Sequence, residues 1–152
     1  DEIQLHDFDI SRLPFFSKDL ENDPPAIVKD FKKSVQESRA VLFITPEYNR
    51  SIPGVLKNAI DWGSRPPVQT VWDGKHAAIV GASAGNIGTV GAQQHLRQIL
   101  GALNVNVLRK PEFYWNGSKG FDEAGELIDA STQEHIKKFW NAFTAWMNKP
   151  AP

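Results

Sequence analysis

None of the 152 residues is cysteine. Disulfides, thiolate nucleophiles, Cys-ligated zinc and Cys-ligated iron–sulfur clusters are therefore excluded. An excess of either charge is missing too: 17 Lys+Arg stand against 18 Asp+Glu, so no bulk field draws the chain to nucleic acid, and no nucleic-acid partner is expected. No apolar run approaches the roughly 20 residues of a membrane span. With no basic leader at its head either, the sequence is expected to have no membrane partner, and the cytoplasm is the default location. His6, His76, His95 and His135 fall on separate segments and form no short ligand cluster with acidic residues, so no metal site is expected. The length fits one domain, residues 1–152, with a full hydrophobic core.

What is present is an alternation of two patterns. Glu2–Phe8 alternates loosely, as a strand with one wet face would. Asp23-Pro24-Pro25 supplies a cap and a proline start for a helix with Ile27, Val28, Phe31 and Val35 on one side. Ala40-Val41-Leu42-Phe43-Ile44 is apolar at every position, which predicts an interior parallel strand covered on both faces. A helix follows with Val55, Leu56, Ala59 and Ile60 inward, Lys57, Asn58 and Asp61 toward water, and Ser51 as its cap. After Gly63-Ser64-Arg65-Pro66-Pro67 and the turn Trp72-Asp73-Gly74-Lys75, the run Ala77-Ala78-Ile79-Val80 predicts another buried strand. Helical spacing returns at Ala92, Leu96, Ile99, Leu100 and Leu103, a strand is expected near Val105–Leu108, and Ser131-Thr132-Gln133-Glu134 reads as a capping box before a final helix with Ile136, Phe139, Trp140, Phe143 and Met147. This βαβαβαβα order predicts an open α/β sandwich with a parallel sheet, whose binding site lies at the carboxyl ends of the strands.

Two loops stand at those ends. In Thr45-Pro46-Glu47-Tyr48-Asn49, the proline stiffens the loop, the phenol offers an apolar ring with a polar tip, and the amide both donates and accepts. That set suits a planar heteroaromatic ligand. Glu47 is open to accepting a ligand N–H, orienting a neighbour or forming a surface pair, and Tyr48 to an interface role. Gly81-Ala82-Ser83-Ala84-Gly85-Asn86-Ile87-Gly88 brings backbone N–H groups close to a ligand oxygen, or is turn chemistry alone. Its first five residues match G-x-S-x-G, and Asp122 or Asp129 with His135 would complete a triad in hydrolase order. The chain is short for such an enzyme, and the glycines after Ser83 delay the helix that should follow a nucleophile elbow. The spacing is not the G-x-G-x-x-G of a dinucleotide fold.

The stretch from Thr45 through Asn49 and on to Lys57-Asn58-Ala59-Ile60-Asp61-Trp62, with Gly74-Lys75, the Gly81–Gly85 loop and Gln93-Gln94-His95-Leu96-Arg97, resembles the flavodoxin-like NAD(P)H-dependent FMN reductases, which include chromate and quinone reductases. The likeness extends over nearly the whole chain. It implies a flavodoxin-like three-layer α/β sandwich with FMN as cofactor and NAD(P)H as reductant. Pro46, Glu47, Tyr48 and Asn49 would line the flavin on one side, and Ser83, Ala84 and Gly85 would lie at the other edge of its ring. It implies ping-pong electron transfer to quinones, with azo compounds, nitroaromatics or chromate as side acceptors and no protein nucleophile. Arg50, Arg65 and the aromatics Phe113-Tyr114-Trp115 are candidates for shaping access. A homodimer or homotetramer is implied, with the helices after the two loops as interface elements. The resemblance also places a first strand and a phosphate loop before the segment corresponding to Glu2–Phe8. The expectation is therefore an N-terminally incomplete domain that binds FMN weakly alone. Against this stand a flavodoxin-like electron-transfer or regulatory module without NAD(P)H turnover, and a serine hydrolase using Ser83.

Overall fold

Runs that are apolar at every position become the strands at the centre of the molecule. The computed structural model describes residues 3–66, 70–117 and 120–150. Strand β1 (Ala40–Ile44) lies parallel to β2 (His76–Ser83), with Ala40 opposite His76 and Ile44 opposite Val80. The other edge of β2 is shared by two short parallel strands, β3 (Asn106–Val107) beside His76 and Ala77, and β4 (Phe113–Asn116) beside Val80–Ser83. Four helices accompany them: α1 (Ala26–Glu37), α2 (Gly54–Gly63), α3 (Val90–Ala102) and α4 (Ala130–Met147).

Alternating side chains divide the sheet between two cores. On one face Phe43, Ala77 and Ile79 pack with Val28, Phe31 and Val35 of α1, Leu56, Ala59 and Ile60 of α2, and Leu96 and Leu100 of α3. Trp72 lies in this core, with Nε1 donating to Ile60 O at 2.9 Å. On the other face Ala78, Leu108 and Phe113 meet Phe139 and Phe143 of α4, with Ala40, Leu42 and Val80 at the margin. This is the expected α/β sandwich with helices on both faces of a parallel sheet.

Several local expectations change. The described residues Ile3–Phe8 form no strand; Leu5 is exposed, and Phe8 packs edge-on against Phe31 at 5.2 Å. Alternation fixes which side chains share a face but supplies no partner, and among the described residues no strand pairs with this segment. The expected cover on both faces of β1 is incomplete, with Ile44 75% exposed. Among the described residues three helices pack on one face, whereas α4 alone packs on the other, with Ala40 and Leu42 of β1 only at the margin of that cluster.

Helix starts also move. Asp23 pairs with Lys29 at 2.9 Å instead of capping α1, which begins after Pro25 without a side-chain cap. Pro53, not Ser51, precedes α2. Asp129, not the Ser131–Glu134 box, heads α4, its side chain accepting from Thr132 N. Asn58 faces inward: it accepts from Phe16 N at 2.8 Å and donates to Pro14 O at 3.0 Å, binding an extended segment to α2. The strand expected over Val105–Leu108 shortens to two residues, and β4 was not anticipated. Pro111, which has no N–H to donate, stands in the gap between the two.

Candidate functional site

The two unusual loops meet because their strands are neighbours. Thr45 N donates to Val80 O at 3.0 Å, carrying the β1–β2 ladder one residue past β1. Gly81 lies beneath the junction. A Cβ there would collide with Thr89 Oγ1 and the Thr45 carbonyl, so glycine is what lets the start of α3 close onto the strand ends. Thr45 and Thr89 are both buried.

Beyond Pro46 the backbone makes a two-residue hairpin. Tyr48 N donates to Ser51 O at 3.0 Å and Ser51 N to Tyr48 O at 2.9 Å, while Asn49 and Arg50 take φ of 51° and 65°. Two successive left-handed residues are the signature of a type I′ turn. It presents Tyr48, 61% exposed, with Asn49 and Arg50 also at the surface. Glu47 is different. Its side chain is largely buried, Oε2 accepts from Ala92 N at 2.9 Å, and Oε1 lies 3.5 Å from Arg50 Nη1.

In the second loop Ser83 Oγ donates to Gly88 O at 2.7 Å and accepts from Gly85 N at 3.3 Å. Ala84 and Gly85 are exposed. Ala82, Ser83, Ala84 and Gly117 line a shallow hollow of about 290 Å³ in which, among the described residues, no side chain is larger than serine. All seven residues to which the resemblance pointed thus stand at the carboxyl ends of β1 and β2, three of them in or beside the hollow.

The hydrolase constellation does not assemble. The Ser83 hydroxyl closes its own loop, Asp129 caps α4, and Asp122 accepts from Ala124 N and Glu126 N. His135 is exposed and lies against Phe113, ring centroids 4.8 Å apart. Among the described residues no group of three or more His, Asp or Glu is placed to hold a metal.

The access candidates separate by role. Arg65 covers the Phe16 ring at 5.4 Å. Phe113 is core, and Trp115 packs on Phe121 at 5.2 Å. Tyr114 donates to Glu112 Oε1 and accepts from Gln94 Nε2, both at 2.8 Å. Burial, and then the bond to Glu112, push its phenol above the ordinary range.

Gln93 carries part of the family resemblance, but its bracing role was not read from the sequence. It is fully buried, and its Nε2 donates to Thr89 Oγ1 at 2.9 Å and to Phe113 O at 2.6 Å, joining the start of α3 to β4. The signal was available: Thr89, Gln93, Leu96 and Leu100 occupy one helical face, and a polar residue on an inward stripe must be hydrogen-bonded.

Residues 1–120 match the family model described as NADPH-dependent FMN reductase. Among curated proteins, a 2-hydroxy-1,4-benzoquinone reductase of Burkholderia is 41% identical over 140 residues, covering 91% of this chain and 76% of that protein. An NAD(P)H-dependent FMN reductase of Pseudomonas aeruginosa is 46% identical over 144 residues, covering 93% of this chain and 77% of its own. Among solved structures, the flavoenzyme NAD(P)H:acceptor oxidoreductase FerB of Paracoccus denitrificans superposes with a TM-score of 0.84 at 40% identity, over 91% of this chain and 76% of that one.

Proposed function

The chain belongs to the NADPH-dependent FMN reductase family, and from that premise we propose that the loops after β1 and β2 form its flavin site. The protein is an FMN-dependent oxidoreductase that takes electrons from NAD(P)H and gives them to quinones. Pro46, Tyr48 and Asn49 line the cofactor from the first loop, and Ser83, Ala84 and Gly85 from the second. Glu47 stands beside them with its carboxylate turned to Ala92 N.

One observation supports this reading: a hollow walled, among the described residues, by alanine, serine and glycine opens at the strand ends. Such a wall is flat enough for a planar ring to lie against, and it fits FMN. When bound, FMN supplies acceptance of hydride from NAD(P)H and release of electrons to the acceptor. The chain's own residues hold and orient. Tyr48 offers an exposed ring, Asn49 a donor and an acceptor, and Ser83 fixes the loop through Gly88 O. Because that hydroxyl is already committed, no serine nucleophile takes part.

Azo compounds, nitroaromatics and chromate are proposed side acceptors, and residues 1–152 are read as one flavodoxin-like domain. No helix among the described residues is long and apolar enough to cross a membrane. A cytoplasmic location is proposed separately, on the family membership. We also place the chain in a homodimer or homotetramer. Exposed Tyr48, Val55 and Ile87, on the two loops and the head of α2, support that reading.

The test is spectroscopic. Purified protein titrated with FMN should acquire a bound-flavin absorbance that NAD(P)H bleaches and a benzoquinone restores. Bound flavin that NAD(P)H leaves unbleached would support an electron-transfer module instead. Sedimentation should give at least a dimer mass, and a monomer at every concentration would overturn the assembly.

A further inference from the structure

Glu47 spends its carboxylate in an unusual place. Thr89, which heads α3, makes no side-chain cap. The N–H of Ala92, on the first turn, is instead satisfied by Glu47 Oε2 at 2.9 Å, from a residue 45 positions earlier. A carboxylate there also faces the positive end of the helix dipole. One turn farther along the helix, Ser51 Oγ lies 2.7 Å from His95 Nδ1. The Tyr48–Ser51 hairpin is therefore fastened to one helix at both ends, and that helix follows directly from the loop containing Ser83, Ala84 and Gly85. The seat is tight: a Cβ on Gly91 would lie 3.1 Å from both Glu47 Oε2 and Arg50 O.

We propose that Glu47 is a positioning residue and not a flavin ligand. Together with the Ser51–His95 pair it locks the Tyr48–Ser51 turn to α3, and so sets the spacing between the two loops that hold the cofactor. This rests on the flavin placement above. A carboxylate that met the flavin would matter for its charge. A carboxylate that caps Ala92 N matters for its oxygen, which glutamine also offers.

The full chain carrying Glu47→Gln, Glu47→Ala or Gly91→Ala separates these cases through FMN titration, quinone turnover and the amide resonance of Ala92. Glu47→Gln should hold FMN affinity within about threefold, while Glu47→Ala weakens it by about tenfold as the turn loses its anchor on α3. The Ala92 amide proton should move upfield in Glu47→Ala and stay near its place in Glu47→Gln. Gly91→Ala, which displaces the carboxylate without changing it, should behave like Glu47→Ala and serves if that variant fails to fold. Loss of FMN in Glu47→Gln equal to that in Glu47→Ala, with the Ala92 amide unmoved in both, would overturn the proposal and put the charge on the flavin. Should the unaltered protein take up no FMN, the flavin placement itself fails. The lock then stands or falls on whether the Ala92 amide moves in Glu47→Ala.

Discussion

Arg50 holds a backbone conformation that L-residues avoid, with φ at 65° on an exposed turn. A left-handed residue with a Cβ costs roughly 1–2 kcal/mol, and glycine would give back about 0.5–1 kcal/mol through greater freedom of the unfolded chain. Arg50→Gly should therefore raise stability by about 0.5–1 kcal/mol in urea unfolding. Arg50→Val, branched at Cβ, should lower it, and equal midpoints for the two would mean the turn relaxes in the variants. The ion pair with Glu47, at 3.5 Å with the Arg50 side chain 72% exposed, is too solvated to reverse that order. At this scale the sequence showed which residues gather at the site, because strand-end loops must. It did not show their partners. Glu47 reads equally as ligand, brace or surface charge until α3 is seen to lie beside it, and Ser83 as nucleophile or loop closure until Gly88 O is found at 2.7 Å.

Among the elements, α4 begins on a side chain that titrates. Asp129 accepts from Thr132 and Ser131, and these hydrogen bonds, Thr132's side-chain bond first, hold its carboxyl below the ordinary 3.8. A depressed carboxylate stabilises the folded state above its unfolded pKa and loses that contribution as pH falls through the folded one. Melting temperatures followed downward from pH 3.8 should therefore show a decline that Asp129→Asn removes, because the amide still accepts but does not titrate. An unchanged acid profile in the variant would deny Asp129 that part. Helices and fully apolar strands were legible because periods of 3.6 and unbroken apolar runs depend on local sequence alone. β4 was not, since Phe113–Asn116 is short and becomes a strand only through β2, which offers Val80–Ser83 as its partner. The predicted caps failed for a related reason: proline can head a helix without a side-chain bond, as Pro25 and Pro53 do.

At the scale of the fold, every strand pairing among the described residues runs through β2: β1 on one edge, β3 and β4 on the other. All are parallel, so Ala40 must find His76 and Val80 must find Phe113 across an intervening helix before any ladder exists. This is a problem of time as much as of energy. Closing such loops is an entropic cost met before the contacts reward it, and chains dominated by distant pairings fold slowly. β2 is then the natural nucleus, and substitutions within it should act on the rate of folding more than on the rate of unfolding. Ile79→Val, removing one methylene from a fully buried strand residue, should cost about 1 kcal/mol and appear chiefly as slower refolding in stopped-flow. Ile136→Val, at an exposed position of α4, should leave both limbs of the chevron nearly unmoved. A synthesising ribosome meets the same constraint: β1 emerges well before its partner, so its apolar edge must wait for β2 before the first ladder can close.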